Sequence, residues 1–158
     1  MLVIRVVVET KLGDASDLCV RAKSHWGYDP EFISLCVPAL IVTADDLATS
    51  DVVGAYHDEQ LAGVAQLISR DREVVLDKLF VEPQFIGTCI GRALFEWAVQ
   101  RSTEWGATKI TIEADPFAVP VYKASGCTQV GVNSSPTTGR ELPIMEYSLA
   151  TKNHHLSV

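Results

Sequence analysis

The stretch from Leu79 to Leu94, LFVEPQFIGTCIGRAL, most constrains what this chain can fold into. It begins as an apolar strand, continues through a glycine-containing turn, and ends as the first turn of an amphipathic helix. At such a junction several backbone N–H groups have no acceptor within the helix, and the helix dipole adds positive potential at the same end. The pattern therefore predicts a strand followed by a helix whose start can bind phosphate.

The composition is that of an ordinary globular protein with a moderate excess of acid. The 158 residues are 47% hydrophobic and 21% charged, and the formal net charge is −7. This length suits one domain with a sizeable core, so we expect a single domain over residues 1–150 and a frayed tail at 151–158. Nucleic-acid binding usually needs a basic face, so the charge argues against it. The charge mildly favours a cationic partner such as an amine, although moderate acidity also serves solubility alone.

The cysteines form neither a metal-binding nor a disulfide pattern. They lie at positions 19, 36, 89 and 127 without a C-x-x-C pair, so we expect no zinc site and no disulfide framework. The apolar run Met1–Val8 is too short to span a bilayer and lacks a cleavage site, so it is interpreted as a first strand. We therefore expect a cytoplasmic protein without a membrane partner.

Hydrophobic periodicity divides the chain into strands and helices. Apolar runs predict strands at residues 2–9, 51–57, 61–69, 73–81, 109–113, 127–133 and 143–149. Helical spacing predicts helices that open at Asp14 and at Asp29–Pro30, with Pro38 ending the second, and further helices over 88–105 and 116–125. The expected buried faces of the first three helices are Ala15, Leu18, Cys19 and Ala22; Phe32, Leu35 and Cys36; and Ile90, Leu94, Trp97, Ala98 and Trp105.

The order of these elements predicts the fold class. Strands 51–57 and 61–69 form a hairpin around Asp58–Gln60 and should be antiparallel, whereas strands 73–81 and 109–113 are joined through a helix and should be parallel. The expected fold is α/β, with a central mixed sheet of about seven strands and flanking helices.

The turn after the 73–81 strand carries a specific motif. Gln84-x-x-Gly87-x-Cys89 closely resembles the acetyl-CoA pyrophosphate loop of the GNAT family of N-acetyltransferases, whose usual form is Arg/Gln-x-x-Gly-x-Gly/Ala. The final position is cysteine here. The dinucleotide fingerprint G-x-G-x-x-G and the P-loop G-K-[ST] are both absent from this stretch. The element order resembles the same family across nearly the whole chain, although the local residues alone would also suit a tight strand-to-helix turn.

The resemblance implies an acetyl-CoA site in the strand, the loop and a later helix. In the family the strand before the loop splays from its parallel neighbour, often at a bulge, and pantetheine pairs with its backbone. Leu79 and Val81 would offer these groups here, or could be ordinary core residues. The residues implied in cosubstrate binding are Leu79, Phe80, Val81, Ile86, Gly87, Thr88, Cys89, Ile90, Gly91, Arg92 and Tyr122.

A second segment, DPFAVPVYKASG from Asp115 to Gly126, resembles the later family motif Asn/Asp-Pro-x-Ala-x-x-Phe-Tyr-x-x-x-Gly. This chain has Val121 in place of the phenylalanine and an additional Pro120 in the helix. In the family the tyrosine often protonates the departing CoA thiolate, and a phenol beside a sulfur can do so. Tyr122 is therefore the candidate general acid, with a half-buried structural tyrosine as the alternative.

Acetyl transfer to an amine also requires the amine to lose a proton, because an amine of the lysine type has a pKa of about 10.4. Asp77 and Glu113 lie on the two strands expected to splay. Asp77 is the first candidate for a base or amine anchor because it interrupts an apolar strand. An ion pair, an edge position or proton transfer through water are the alternatives, and Asp115 is better suited to capping a helix.

The acceptor pocket is expected beside the break at Ser24–Tyr28, which in the family covers that pocket. The run Lys23–Tyr28, KSHWGY, resembles a segment of an uncharacterised bacterial subset. The candidate substrate-binding residues are His25, Trp26, Tyr28 and Arg140. A local packing cluster is the alternative for the first three, and Arg140 could bind a substrate carboxylate or simply anchor its loop.

These observations predict an N-acetyltransferase that passes the acetyl group of acetyl-CoA directly to a primary amine of a small molecule or peptide, in a ternary complex and without a metal. Cys89 and Cys127 are poorly placed to carry an acyl group, since one lies in the phosphate turn and the other begins a strand. The alternatives are a non-catalytic acyl-CoA sensor or regulatory module and a purely structural use of the fold. A homodimer through sheet edges or the last strands is plausible by the same resemblance.

Overall fold

A mixed sheet organises residues 1–149, the part of the chain that the computed structural model describes. Its strands are β1 (Leu2–Val6), β2 (Asp51–His57), β3 (Gln60–Arg70), β4 (Glu73–Val81), β5 (Lys109–Glu113), β6 (Thr128–Ser134) and β7 (Glu141–Ser148). They are ordered β1-β2-β3-β4-β5-β7-β6, and every neighbouring pair is antiparallel except the parallel pair β4–β5. The predicted fold class and the predicted parallel pair are confirmed, while the tail predicted at 151–158 lies outside the described residues.

Helices cover both faces of this sheet. They are α1 (Leu12–Ser24), α2 (Pro30–Leu40), α3 (Ala44–Thr49), α4 (Ile90–Glu104) and α5 (Val119–Ala124), with 3-10 turns at Glu9–Lys11, Pro83–Phe85 and Pro116–Ala118. Adjacent residues of β2 point into different cores: Val52 packs with α1, whereas Val53 packs with α4. Within residues 1–149, no helix combines the length and the apolar composition that crossing a bilayer requires.

The first helices differ from the sequence prediction in their ends and in one buried face. Lys11 is the N-cap of α1, so Asp14 lies in the first turn instead of capping it. Helix α2 continues through Pro38 to Leu40, because a proline in the last turn removes only one helical hydrogen bond. The buried face of α2 contains Ile33 and Leu40, and Leu35 is 51% exposed, so the predicted apolar stripe was wrong at that position.

Helix α3 was missed by the periodicity because it is shorter than two turns. Its signal is a capping box: the Thr43 hydroxyl accepts from the backbone N–H of Asp46, and the Asp46 carboxylate accepts from the N–H of Thr43.

Helices α4 and α5 differ from the prediction in one buried face and accommodate Pro120. Phe95 and Ser102 are the buried residues of α4 where Trp97 and Trp105 were expected, since both tryptophans are only partly buried. Gly106 ends α4 with a positive φ of 76°, as predicted. Pro120 lies in the first turn of α5, where a proline costs no helical hydrogen bond.

The sheet opens in its middle, between β4 and β5. Their pairing covers only Glu73–Val75 against Lys109–Thr111, and beyond it the two strands continue without pairing to each other. On its other side β4 shifts register against β3, because Gln66 pairs with Lys78 and Leu67 pairs with Leu76. Asp77 is therefore the extra residue of a bulge, and the predicted splay and bulge are confirmed.

Candidate functional site

Two cavities meet where β4 and β5 separate. The front cavity, of about 390 Å³, lies beside the end of α1 and contains Trp26, Asp77 and Glu113 in its wall. The rear cavity, of about 1030 Å³, lies between α4 and α5. The residues common to both walls are Leu79, Gly87, Cys89, Gly91, Arg92, Val121 and Tyr122. One continuous site therefore passes through the gap in the sheet.

The loop before α4 lines both cavities. Gly87 has a φ of 88°, and a Cβ built on it would meet no atom within 4 Å, so the space in front of it is open. Cys89 is the N-cap of α4 with a left-handed φ of 70°, a conformation that a residue with a Cβ rarely adopts. The first N–H groups of α4 have no acceptor in their own helix and lie beside this open space. The junction is suited to a bound anion.

The side chains of the other residues predicted to bind the cosubstrate differ in whether they border a cavity. Arg92 is exposed, borders both cavities and has no ion-pair partner within residues 1–149. Ile86 is 50% exposed and borders the front cavity, as do Phe80 and Val81. The Thr88 hydroxyl donates to the Phe85 carbonyl, and the Ile90 side chain is buried, so neither borders a cavity.

Tyr122 stands between the two cavities with a side chain that is 7% exposed. Its hydroxyl makes no hydrogen bond to another group of residues 1–149. Burial raises the pKa of this phenol far above its ordinary value, and the nearby Cys127 and Asp115 raise it further. Tyr122 therefore keeps its proton over a wide pH range and presents a donor without a partner to the gap in the sheet.

The acids of the front cavity come from both diverging strands. Asp77, at the bulge, has a side chain that is 43% exposed, and its Oδ2 lies 3.2 Å from the Nζ of Lys78. Lys78 points the opposite way into the protein, where its Nζ donates to Gln66 Oε1 at 2.9 Å. Glu113 accepts a hydrogen bond of 3.0 Å from Asn133 Nδ2. The structure thus brings the two predicted carboxylates to one cavity, and it also shows the ion pair considered as the alternative for Asp77.

Lys78 and Gln66 form a buried polar pair behind the bulge that the sequence analysis did not predict. Both are buried in apolar strands, and the Gln66 amide continues the network by donating to Ser50 Oγ at 2.9 Å. The sequence does show one polar residue in each of two apolar strands. It does not show that the two residues are partners, because their pairing depends on a strand register that shifts at the bulge.

Asp115 connects three segments at the edge of the front cavity. It forms an ion pair with Lys23, accepts from the Tyr28 hydroxyl at 2.9 Å, and caps the following turn through the Phe117 N–H at 2.9 Å. Burial alone would raise the pKa of Asp115, but the Lys23 ammonium and the hydrogen bonds outweigh it and hold the pKa below its ordinary value. The predicted cap is confirmed, and the carboxylate stays charged.

Arg140 reaches the same network from the β6–β7 loop. Its Nη2 donates to the Tyr28 hydroxyl at 2.9 Å, and its guanidinium lies 4.8 Å from the ring centres of both Tyr28 and Phe32. Burial, followed by the hydrogen bond to Asp115, raises the pKa of Tyr28. Tyr28 and Arg140 border neither cavity and hold the loops around the front cavity together.

The aromatic residues of the Ser24–Tyr28 break have different positions. Trp26 borders the front cavity and stacks on Phe117, with ring centres 5.4 Å apart and planes inclined by 7°. His25 is exposed, makes an edge-type ring contact with Trp26 and borders neither cavity. Lys23, which was not predicted as a site residue, also borders the front cavity.

The cysteines and the acidic residues show no further reactive arrangement. Cys127 is buried outside both cavities, and burial raises the pKa of its thiol to about 11. Cys89 is exposed in the loop. Among residues 1–149, no group of three or more His, Cys, Asp or Glu side chains is placed to hold a metal ion.

Comparisons with known proteins agree with this geometry. A model of the family described as acetyltransferase (GNAT) domain matches residues 41–149. An uncharacterised N-acetyltransferase of Mycobacterium bovis is 35% identical over 60 residues, which cover 37% of this chain and 38% of that protein. Two uncharacterised N-acetyltransferases of Mycobacterium tuberculosis match to the same extent. The match thus spans 38% of the length of these curated relatives.

Solved structures share the fold at low sequence identity. The PaiA N-acetyltransferase of Thermoplasma acidophilum, in complex with coenzyme A, has a TM-score of 0.75 at 16% identity, covering 94% of this chain and 99% of that one. The ribosomal-protein-S18-alanine N-acetyltransferase of Escherichia coli has a TM-score of 0.71 at 20% identity, covering 95% of each chain.

Proposed function

Because this chain belongs to the GNAT acetyltransferase family, we propose that it is a single-domain, acetyl-CoA-dependent N-acetyltransferase. The acetyl group passes directly to a primary amine of a small molecule or peptide, in a ternary complex. One observation carries the proposal: a helix start, a gap between two parallel strands and a buried tyrosine whose hydroxyl has no hydrogen-bond partner within residues 1–149 converge at one place. A purely structural protein would have no need for this convergence.

The cosubstrate fits the loop and the gap. The pyrophosphate would accept hydrogen bonds from the first N–H groups of α4, with Gly87 leaving the space and Arg92 supplying a charge. Pantetheine would enter the gap, where the backbone of Leu79 and Val81 lies beyond the last β4–β5 pair. Phe80 and Ile86 would flank the chain, whereas Cys89 and Gly91 would contribute backbone, as would Thr88 and Ile90, whose side chains border neither cavity.

The chemistry follows from the groups that face the gap. The amine nitrogen attacks the thioester carbonyl carbon, the C–N bond forms, and the C–S bond breaks as the tetrahedral intermediate collapses. Tyr122 donates its proton to the leaving thiolate. An acceptor that enters as an ammonium ion gives up two protons in total, one that restores Tyr122 and one that reaches solvent. Asp77 would anchor the amine or receive its proton, directly or through water.

The test uses thermal unfolding with and without acetyl-CoA. At a concentration of about one hundred times Kd, binding should stabilise the parent by about 2.7 kcal/mol. Gly87→Glu places a carboxylate where the pyrophosphate would lie and should abolish the shift. Gly106→Glu is the matched control, because Gly106 also has a positive φ and open space at its Cβ but lies at the far end of α4.

Turnover separates the enzyme from a non-catalytic sensor. Release of CoA thiol with a panel of amines is expected for the enzyme, whereas a sensor would show the thermal shift without thiol release. A parent that neither shifts at millimolar acetyl-CoA nor releases thiol would contradict the proposal.

Location and assembly are part of the proposal. The described cysteines are free thiols, as is usual in the reducing cytoplasm. A homodimer is supported by the edge strand β6, where Val130 and Val132 are each 53% exposed. Light scattering of the parent and of Val132→Lys would measure it. The likeness of Lys23–Tyr28 to an uncharacterised bacterial subset stays a prediction.

A further inference from the structure

The front cavity has a pattern of charge and apolar surface that favours one class of acceptor. We propose that the acceptor is a small primary amine carried on an apolar, preferably aromatic, body, with no carboxylate next to the amine. This acceptor class rests on the proposed function, since it assumes that the acetyl donor occupies the loop and the gap.

The cations around the front cavity are already engaged. Lys23, in its wall, is paired with Asp115, and both side chains are only 13% exposed. The Arg140 guanidinium lies against both the Tyr28 and the Phe32 ring, outside the cavity. Arg92 remains, but it lies in the first turn of α4, where the phosphates of the donor would take it. A substrate carboxylate that enters the front cavity would therefore meet no available cation among residues 1–149, and its desolvation would be costly.

The acids of the same cavity have the opposite effect. Asp77 and Glu113 project from the two strands that diverge at the gap, so they lie on both sides of the route that an acceptor takes. Glu113 is exposed and its only hydrogen bond within residues 1–149 comes from a neutral amide. An incoming ammonium group would be attracted to this end of the cavity, and an anion would be repelled.

Most of the remaining wall is apolar. Apart from Phe80 and Ile86, which are proposed above to flank pantetheine, its larger side chains are Trp26, Leu76, Phe85, Ile112 and Leu142. The indole of Trp26 stacks nearly parallel on Phe117 and contributes a flat aromatic surface to the wall. A volume of about 390 Å³ lies in the range of small-molecule sites. A flat apolar body carrying an amine fits this wall better than a polyamine, whose other charges would meet apolar side chains.

The sharpest test is a matched pair of acceptors. 2-Phenylethylamine and L-phenylalanine share the aromatic body and the amine and differ by the carboxylate. With thiol release as the readout, kcat/KM for 2-phenylethylamine should exceed that for L-phenylalanine by about a hundredfold or more. It should also exceed that for spermidine and for a lysine-containing peptide.

Two variants assign this preference to the cavity. Trp26→Ala should raise KM for 2-phenylethylamine about tenfold with a smaller change in kcat, because it removes apolar contact and leaves the reacting groups. Leu35→Ala is its control, since Leu35 is exposed on α2 and borders neither cavity. Glu113→Gln should reduce the discrimination against L-phenylalanine, and Glu31→Gln, an exposed acid on α2, should leave it unchanged.

The outcomes separate this inference from the function on which it rests. Acetyl-CoA binding with faster turnover of L-phenylalanine, spermidine or the peptide would overturn the acceptor class and keep the acetyltransferase. Equal effects of Trp26→Ala and Leu35→Ala would also overturn it. Acetyl-CoA binding without turnover of any amine would overturn both, and would leave the sensor.

Discussion

The two halves of the site are built in different ways. The rear half, where the acetyl donor is proposed to bind, is made of backbone: a positive-φ glycine, a helix start and strand groups left unpaired by the splay. The front half is made of side chains from four separate segments, tied together through Asp115, Tyr28 and Arg140. A backbone site depends on local sequence, whereas a side-chain site depends on which segments the fold brings together. The predictions below test this contrast, from the largest expected effect to the smallest.

Tyr122→Phe should remove the chemistry while leaving both halves in place. General acids typically contribute 10²- to 10⁴-fold, so we expect kcat to fall by about a thousandfold, or about 4 kcal/mol. The acetyl-CoA thermal shift should persist, because the ring still fills the same space. Tyr56→Phe, which borders neither cavity, is the control and should keep the parental kcat. A Tyr122→Phe enzyme with parental kcat would show that water or another group protonates the thiolate.

Asp115→Asn should disrupt the front half, because it leaves the mostly buried Lys23 ammonium without its partner. We expect the free energy of unfolding to fall by about 3 kcal/mol near neutral pH. Asp29→Asn serves as the control, since Asp29 is exposed at the start of α2 and its side chain makes no capping hydrogen bond. Urea unfolding of the parent and both variants measures the difference.

The pH dependence of that difference has a definite sign. The pKa of Asp115 is lowered in the folded protein, so its contribution is fully present above the ordinary carboxyl pKa of about 3.9. It is lost as the pH falls through the lowered value of the folded state. The parent and Asp115→Asn should therefore approach equal stability only in that acidic range. A difference that disappeared between pH 7 and pH 5 would mean that another group is responsible.

The sequence predicted the rear half of the site, which is made of backbone, better than the front half, which is made of side chains from separate segments. Strand β4 was predicted with its observed ends, and the glycine-containing turn before α4 was predicted at its observed place, because both depend on neighbouring residues. Trp26 was placed correctly at a cavity wall, but His25 beside it borders neither cavity, and no spacing rule distinguishes the two residues. Arg140 was left open between two roles, because its stacking partners lie more than a hundred residues earlier in the chain.

The bulge lies between the two halves of the site. A double-mutant cycle can test the buried hydrogen bond between Lys78 and Gln66 behind it. Lys78→Met leaves the buried Gln66 Oε1 without its donor, and Gln66→Leu leaves the Lys78 ammonium with only the partly exposed Asp77. Each single variant should lose about 2 kcal/mol of unfolding free energy. The double variant should lose clearly less than the sum, because an apolar pair replaces a matched polar one. Additive losses would mean that the two residues act separately.

The smallest effect expected concerns Cys89, where the rear half departs from the small residue that the loop conformation prefers. Its φ of 70° is left-handed, which costs a residue with a Cβ about 1 kcal/mol relative to glycine. Cys89→Gly should therefore raise the free energy of unfolding by up to about 1 kcal/mol, while Gly87→Ala, at a φ of 88°, should lower it by a similar amount. Cys89→Gly should retain the acetyl-CoA thermal shift, because the N–H groups are unchanged. Gly87→Ala should reduce it, because its Cβ enters the open space in which the pyrophosphate is proposed to lie. If Cys89→Gly instead abolished the shift, the Cys89 side chain itself would contact the ligand, and the rear half could no longer be described as a site made of backbone.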